Sequence, residues 1–207
     1  MKTFSINKKE FNLATDWSEL TLRQYLSLVK TKEKESTYPI PTLFMIAVFE
    51  ILCGAQSGEL DDMELETLGV LTKELEFINK TPKFSKLESI NIDGVDYIFP
   101  SDLSKTKLNE VITIQSIRQK IEGVDFIPYL LAVLLRPGKK VYDNELQKDV
   151  WVQDRFDGKN YEYRVNLFLD KCKGVDVMSI ADFFLTGKTP QVKALKGSTK
   201  PKSKTQV

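Results

Sequence analysis

Apolar residues recur at helical spacing along most of the chain, and capping residues divide them into separate helices. Thr21 and Gln24 stand three positions apart in a capping-box pattern, which predicts the start of a first helix. A second helix is predicted to begin at Pro41, because a proline is tolerated in the first turn, and to end at Gly54. Acidic residues crowd the start of a third predicted helix over 61–79, where the helix dipole favours them.

The second half of the chain returns to the helical pattern. Thr113 is a second candidate cap, so a helix is predicted over 114–121, with a strand over 111–115 as the alternative. An apolar helix follows Asp125 and is predicted to stop at Pro137, because the residue before a proline disfavours helical geometry. Two further helices are predicted over 161–171 and 176–185.

One β-hairpin is predicted over 90–99. Asp93 and Gly94 supply the two positive-φ residues of a type I′ turn, and alternating apolar residues flank them. Two strands are marginally stable alone, so this hairpin must pack against helices or against a partner. A second extended pair is left open near 151–163.

These elements predict a mainly α fold with a small β component (α+β), in the form of a helical domain with one or two β-hairpins. A single domain is expected over 1–187, with a division into halves 1–87 and 88–187 left open. Residues 20–25 and 112–117 are similar in kind, and each precedes an apolar helix entered through Ile-Pro. A weak internal helix-pair repeat is one explanation, and the frequency of capped and proline-initiated helices is the other.

Residues 139–158 are polar and poorly periodic, which predicts a long loop. A long loop that holds aromatic residues in a compact domain is usually functional or forms contacts. Aromatic side chains set among charges often anchor protein interfaces. The predicted interface residues are Tyr142, Trp151 and Phe156.

The charge is unevenly distributed, although the net charge is only +1. Residues 1–182 carry 24 basic and 29 acidic side chains, whereas 183–207 carry six lysines and no acid. We therefore predict that 188–207 is a lysine-rich tail, either a solubilising end or a site of non-specific contact with DNA phosphates. The candidate DNA-contact residues are Lys188, Lys193, Lys196, Lys200, Lys202 and Lys204.

The composition argues against most catalytic and metal-binding chemistry. The chain has no histidine, which removes the commonest general base and metal ligand. Cys53 and Cys172 are far apart in sequence and are expected to be buried thiols. The Gly-Lys-Thr triplet at 187–189 follows a predicted helix, whereas the end of a phosphate-binding loop precedes one. We therefore predict no enzymatic activity, no catalytic residue, no metal site and no cofactor.

Two parts of the sequence resemble a group of viral proteins. Residues 17–25 (Trp-Ser-Glu-Leu-Thr-Leu-Arg-Gln-Tyr) resemble the opening of virion-morphogenesis proteins of tailed bacteriophages. The succession of 129–137, 142–143, 164–168 and 177–185 is similar to tail-assembly-chaperone-like and small virion or cargo proteins. Those proteins belong to tailed phages that infect Bacteroidetes, including crAss-like phages.

The resemblance implies a non-enzymatic bacteriophage structural or assembly protein that acts by protein–protein binding. The expected sites of action are the virion, at the portal–tail region or as internal cargo, and tail assembly in the host cytoplasm. The expected partners are other phage structural proteins, such as portal, tail or ring components, in a multi-copy assembly. No apolar run is long enough to span a bilayer. The alternative is a cellular helical adaptor whose basic tail contacts nucleic acid.

Overall fold

The computed structural model describes residues 1–84, 87–100, 106–158 and 161–178. Over these residues the chain is about 50% helix and 20% strand, with two antiparallel sheets, so the fold is mixed α+β. The prediction of a mainly α fold with a small β component is wrong. The additional strands come from 1–13 and 136–153, where apolar residues are few and lie among charged residues.

The described elements follow one another from an N-terminal hairpin to a C-terminal helix. The helices are α1 Leu22–Glu33, α2 Pro41–Cys53, α3 Leu65–Thr72, α4 Leu108–Arg118, α5 Phe126–Leu134 and α6 Tyr161–Lys171. The strands are β1 Lys2–Ile6, β2 Lys9–Leu13, β3 Ser89–Ile92, β4 Val95–Ile98, β5 Arg136–Asp143 and β6 Lys148–Gln153.

The N-terminal hairpin was not predicted. β1 and β2 pair antiparallel across a two-residue turn, Asn7 and Lys8, whose φ values of 50° and 66° fit a type I′ turn. Phe4 and Phe11 stack across the two strands with ring centroids 5.6 Å apart. Leu13 is fully buried, so one face of the hairpin covers part of the core.

The first two helices confirm the capping and proline signals. The Thr21 hydroxyl accepts a hydrogen bond from the Gln24 amide at 3.2 Å, and the Gln24 side chain accepts one from the Thr21 amide at 3.0 Å. Pro41 is the first residue of α2, and Gly54 ends that helix with a left-handed φ of 64°. These are local signals, which explains why the sequence alone locates both helices.

The third helix is shorter than the predicted 61–79. α3 is followed directly by a 3₁₀ helix over Lys73–Asn79, so the helical path continues with tighter geometry. The residues before it form turns, in which the Met63 amide donates to the Leu60 carbonyl at 3.0 Å. The helix therefore begins after Glu64 instead of at 61.

Thr113 lies inside α4 and does not cap it. Its hydroxyl donates to the Asn109 carbonyl at 2.8 Å, which is a contact within the helix. The helix begins after Lys107, whose amide donates to the Glu110 carboxylate at 2.9 Å. This helix excludes the alternative strand over 111–115 and removes the capping similarity that suggested a helix-pair repeat.

The remaining helices agree in part with the predictions. α5 ends at Leu134, shortly before Pro137, and α6 occupies the predicted 161–171. Arg136 and Pro137 then begin a strand, which the sequence did not indicate. Most of the predicted helix over 176–185 lies outside the described residues.

The second sheet has the strand order β3-β4-β5-β6, all antiparallel. The predicted hairpin is confirmed as β3 and β4, with Asp93 and Gly94 at φ values of 50° and 83°. The second hairpin, β5 and β6, occupies most of the stretch predicted to be a loop over 139–158. The extended pair left open at 151–163 is wrong, because β6 pairs with the strand before it and residue 161 begins a helix.

Two hydrophobic clusters form the core, and α1 contributes to both. The first cluster contains Leu28 together with the N-terminal hairpin, α2 and the α3 region. The second contains Leu22 and Leu26 with α4, α5, α6 and the four-stranded sheet. The Leu22 amide also donates to the Cys172 carbonyl at 2.8 Å, so the start of α1 is tied to the end of α6.

Candidate protein interface on the β5–β6 hairpin

The β5–β6 hairpin extends beyond the rest of its sheet. β4 pairs with β5 at only two positions, Tyr97 opposite Pro137 and Ile98 opposite Arg136. β5 and β6 pair at six positions, which reach outward to Asp143. Among the described residues no other strand borders the outer part of the hairpin, 139–152, which we call the hairpin arm.

A buried charge pair holds the root of the arm. Arg136 Nη1 donates to Glu110 Oε1 at 2.7 Å, and Arg136 Nη2 donates to Gln153 Oε1 at 2.9 Å. The side chains of Arg136 and Glu110 are only 10% and 5% exposed. These bonds connect the first residue of β5 to the last residue of β6 and both strands to α4. The root is therefore fixed to the helical core.

Gln153 and Gly138 fix the position of the two strands at the root. Gln153 Nε2 donates to the carbonyls of Ile98 and Leu134, at 2.5 and 3.0 Å. Gly138 has no room for a side chain, since a Cβ atom there would lie 2.4 Å from the Val152 carbonyl oxygen. Close backbone packing thus requires glycine at this position.

Phe156 is not part of an exposed surface. It is only 3% exposed and belongs to the second hydrophobic cluster. Its ring lies 6.4 Å from that of Tyr161, and its carbonyl accepts a hydrogen bond from Asn109 at 3.3 Å. The prediction that Phe156 is an interface residue is therefore corrected, since this ring is used inside the chain.

Tyr142 lies on the arm, where its side chain is 56% exposed. The tip turn presents Leu146, which is 59% exposed, beside it. The Asp143 carboxylate accepts hydrogen bonds from the Glu145 and Leu146 amides at 2.9 and 3.0 Å, which orders this turn. The tip thus exposes two large side chains from an ordered backbone.

Trp151 is half-buried and has contacts within the chain. Its Nε1 donates to Glu88 Oε2 at 3.2 Å, and the Lys140 ammonium lies 5.0 Å from the ring centroid. A cation over an indole face is a favourable contact. Trp151 pairs with Lys140, and Tyr142 pairs with Asp149. Because Lys140 and Tyr142 are two residues apart on β5, all four side chains, including Trp151 and Tyr142, lie on the same face of the arm.

The opposite face of the arm carries valines that sequence reasoning missed. Val141 pairs with Val150, and Val152 is the next residue of β6 on that face. Val152 is 47% exposed, and Val141 is also exposed. The missed signal was the run Val150-Trp151-Val152, because β-branched and aromatic residues are enriched in strands.

A groove on the helical side lies between α1, α5 and α6, with a volume of about 370 Å³. The cationic side chains that line it are paired. Arg23 donates to Asp170 at 2.6 Å, and Lys30 contacts Asp125. With its lining charges paired in this way, the groove is a weaker candidate binding site than the arm.

In the described part of the chain, no three or more histidine, cysteine, aspartate or glutamate side chains are placed so that they could hold a metal ion. No helix in that part is long and apolar enough to cross a membrane. Cys53 and Cys172 are free, and burial raises the pKa of each thiol to about 12. These thiols are therefore protonated near neutral pH and are weak nucleophiles. The six candidate DNA-contact lysines between 188 and 204 lie outside the described residues.

Comparisons with models of known protein families, with curated proteins and with solved structures found no match to this chain.

Proposed function

We propose that this chain is a non-enzymatic bacteriophage assembly protein that acts by binding other phage structural proteins through the hairpin arm. The observation that carries the proposal is the arm itself, which exposes Tyr142, Leu146 and Val152 from a root fixed by buried hydrogen bonds. The resemblance of 17–25 to virion-morphogenesis proteins supplies the biological setting.

The physical argument concerns the cost of exposing these side chains. A two-stranded hairpin is marginally stable in water when it has no covering layer. Here both faces and the tip of the arm carry apolar or aromatic side chains, which lose contact with water only if another molecule covers them. Aromatic side chains on an ordered scaffold are the usual anchors of protein interfaces. The arm is thus suited to insertion against a partner.

The proposed partners are portal, tail or ring components in a multi-copy assembly. The proposed location is the virion or, during assembly, the host cytoplasm. The fixed root gives this arrangement an advantage, because a preordered arm loses little conformational entropy on binding. Binding by the arm needs no catalytic group, cofactor or metal.

The test is incorporation into phage particles. Cells that produce particles would express the native chain or the tip variant Tyr142→Ala/Leu146→Ser, and purified particles and assembly intermediates would be quantified by mass spectrometry. We expect the tip variant to fall at least tenfold in copy number, because the loss of two anchors typically costs several kcal/mol of binding.

Leu65→Ser is the matched control, since Leu65 is 78% exposed but lies on α3, away from the arm. Its incorporation should equal that of the native chain. Circular dichroism would verify that the tip variant is folded. Equal incorporation of the native chain and the tip variant would refute a role for the arm. Absence of the native chain from particles and intermediates would refute the assembly function itself.

A further inference from the structure

The outer edge of β6 presents a defined set of backbone hydrogen-bonding groups. The Asp154 amide donates to the Pro137 carbonyl at 2.8 Å, so the amide of this residue points toward β5. Because residues alternate along an antiparallel strand, Val152 and Val150 also direct their backbone groups toward β5. The N–H and C=O groups of Asp149, Trp151 and Gln153 therefore point away from β5, where no described strand pairs with them.

We propose that this edge pairs with the same edge of a second copy of the chain, in an antiparallel register with Trp151 opposite its symmetry mate. The inference rests on the proposed function, since it names a second copy as one partner of the arm. The paired edges would join two four-stranded sheets into one sheet across a twofold axis.

Only this register uses all three outward residues. It places Asp149 opposite Gln153 and Trp151 opposite Trp151, which gives about six inter-chain hydrogen bonds in antiparallel geometry. A shift by two residues in one direction brings Gln147 to the edge. Gln147 has a φ of 52° and lies in the tip turn, so it cannot extend the strand. A shift in the other direction pairs only Trp151 with Gln153.

The charges at the ends of the edge are complementary in the same register. Lys148 falls opposite Asp154 of the second copy, and the twofold axis repeats this pair at the other end. Both side chains are exposed in the single chain. Opposite charges that face each other across strands are stabilising, and like charges are destabilising. A lysine on an edge strand usually prevents pairing with another strand. Here the carboxylate of Asp154 from the second copy lies opposite Lys148 and compensates its charge.

The apolar face of the arm also becomes continuous in this register. Val150 of each copy lies opposite Val152 of the other, and Val141 flanks them on β5. Six valines from two copies would form one patch, including the exposed Val152 side chains. Pairing thus reduces the exposed area of the valine face. It also gives hydrogen-bond partners to the outward backbone groups of β6.

A charge-swap series on the full chain tests the register. Sedimentation would measure the self-association of the native chain, Lys148→Asp, Asp154→Lys and the double variant K148D/D154K. Each single variant places like charges opposite each other twice and should weaken the dimer roughly tenfold or more. The double variant restores both pairs and should return to within about threefold of the native affinity.

The outcomes separate this inference from the proposed function. A native chain that remains a 23.7 kDa monomer up to about 0.5 mM would overturn the inference. A dimer that ignores the single charge swaps would overturn the register. If the chain is monomeric but enters particles through the tip, the binding function stands and the edge pairing fails. If the dimer behaves as expected but never enters particles, the edge pairing stands and the assembly function fails.

Discussion

Replacing Glu110 with alanine should destabilise the protein strongly, because it would leave Arg136 buried without its carboxylate partner. The two side chains are 5% and 10% exposed and are joined at 2.7 Å. Arg136 Nε is already buried without a hydrogen-bond partner among the described residues. After this single change the buried Arg136 guanidinium would keep one side-chain hydrogen-bond acceptor, the Gln153 oxygen.

The expected loss is about 3–5 kcal/mol, the usual cost of removing one partner from a buried ion pair. For a chain of this size that corresponds to a fall of roughly 6–20 °C in Tm. The loss is a large part of a typical total stability of about 5–15 kcal/mol. Urea unfolding followed by circular dichroism would measure the free energy directly.

Two comparisons make the result specific to the buried pair. Glu74→Ala breaks the exposed pair with Lys2, whose atoms lie 2.6 Å apart, and should cost less than about 1 kcal/mol. The double change Glu110→Leu with Arg136→Met removes both charges and should recover most of the stability. A loss below about 1 kcal/mol for Glu110→Ala would refute the argument that this pair fixes the root of the arm.

Two further predictions concern a buried acid and the lysine-rich tail. Burial raises the pKa of Glu50 in the folded protein. Any stability that this group contributes is therefore present below the pKa of Glu50 in the unfolded chain, and it is lost as the pH rises through the pKa of Glu50 in the folded protein. Glu50→Gln, which still accepts the Gly58 amide, should therefore raise the free energy of unfolding at pH 7 and have no effect below about pH 4. An equal effect at both pH values would contradict this reasoning. Deleting 188–207 removes six lysines and should weaken non-specific DNA binding in a salt-dependent way, measured by fluorescence anisotropy. Unchanged affinity at low salt would identify the tail as a solubilising end.

The sequence was sufficient where the determinants of structure are local. The capping box at Thr21 and the turn at Asp93 and Gly94 each depend on residues within three or four positions. Both could therefore be predicted from spacing alone. The N-terminal hairpin had a comparable signal, the alternation around Asn7 and Lys8, but its short, charged strands resemble a polar terminus.

The candidate interface depends on contacts that sequence reasoning could not provide. Glu110 and Arg136 lie 26 positions apart, and neither residue is marked by a motif. Tyr142 and Phe156 are both aromatic residues among charges, yet one is exposed and the other is buried. The difference arises from tertiary packing, because Phe156 reaches the core cluster next to Tyr161 and Tyr142 has no such neighbour on the arm.

Cross-linking of purified particles tests the central proposal most directly. The arm carries Lys139, Lys140 and Lys148, which a lysine-reactive cross-linker can join to lysines of a neighbouring protein. We expect mass spectrometry to find these three residues linked to another phage structural protein. Lys73 on the 3₁₀ helix and Lys120 after α4 should be linked mainly within the chain. Links from the arm only to residues of this chain or of its second copy, in particles that contain the chain, would contradict the binding of other phage structural proteins through the arm.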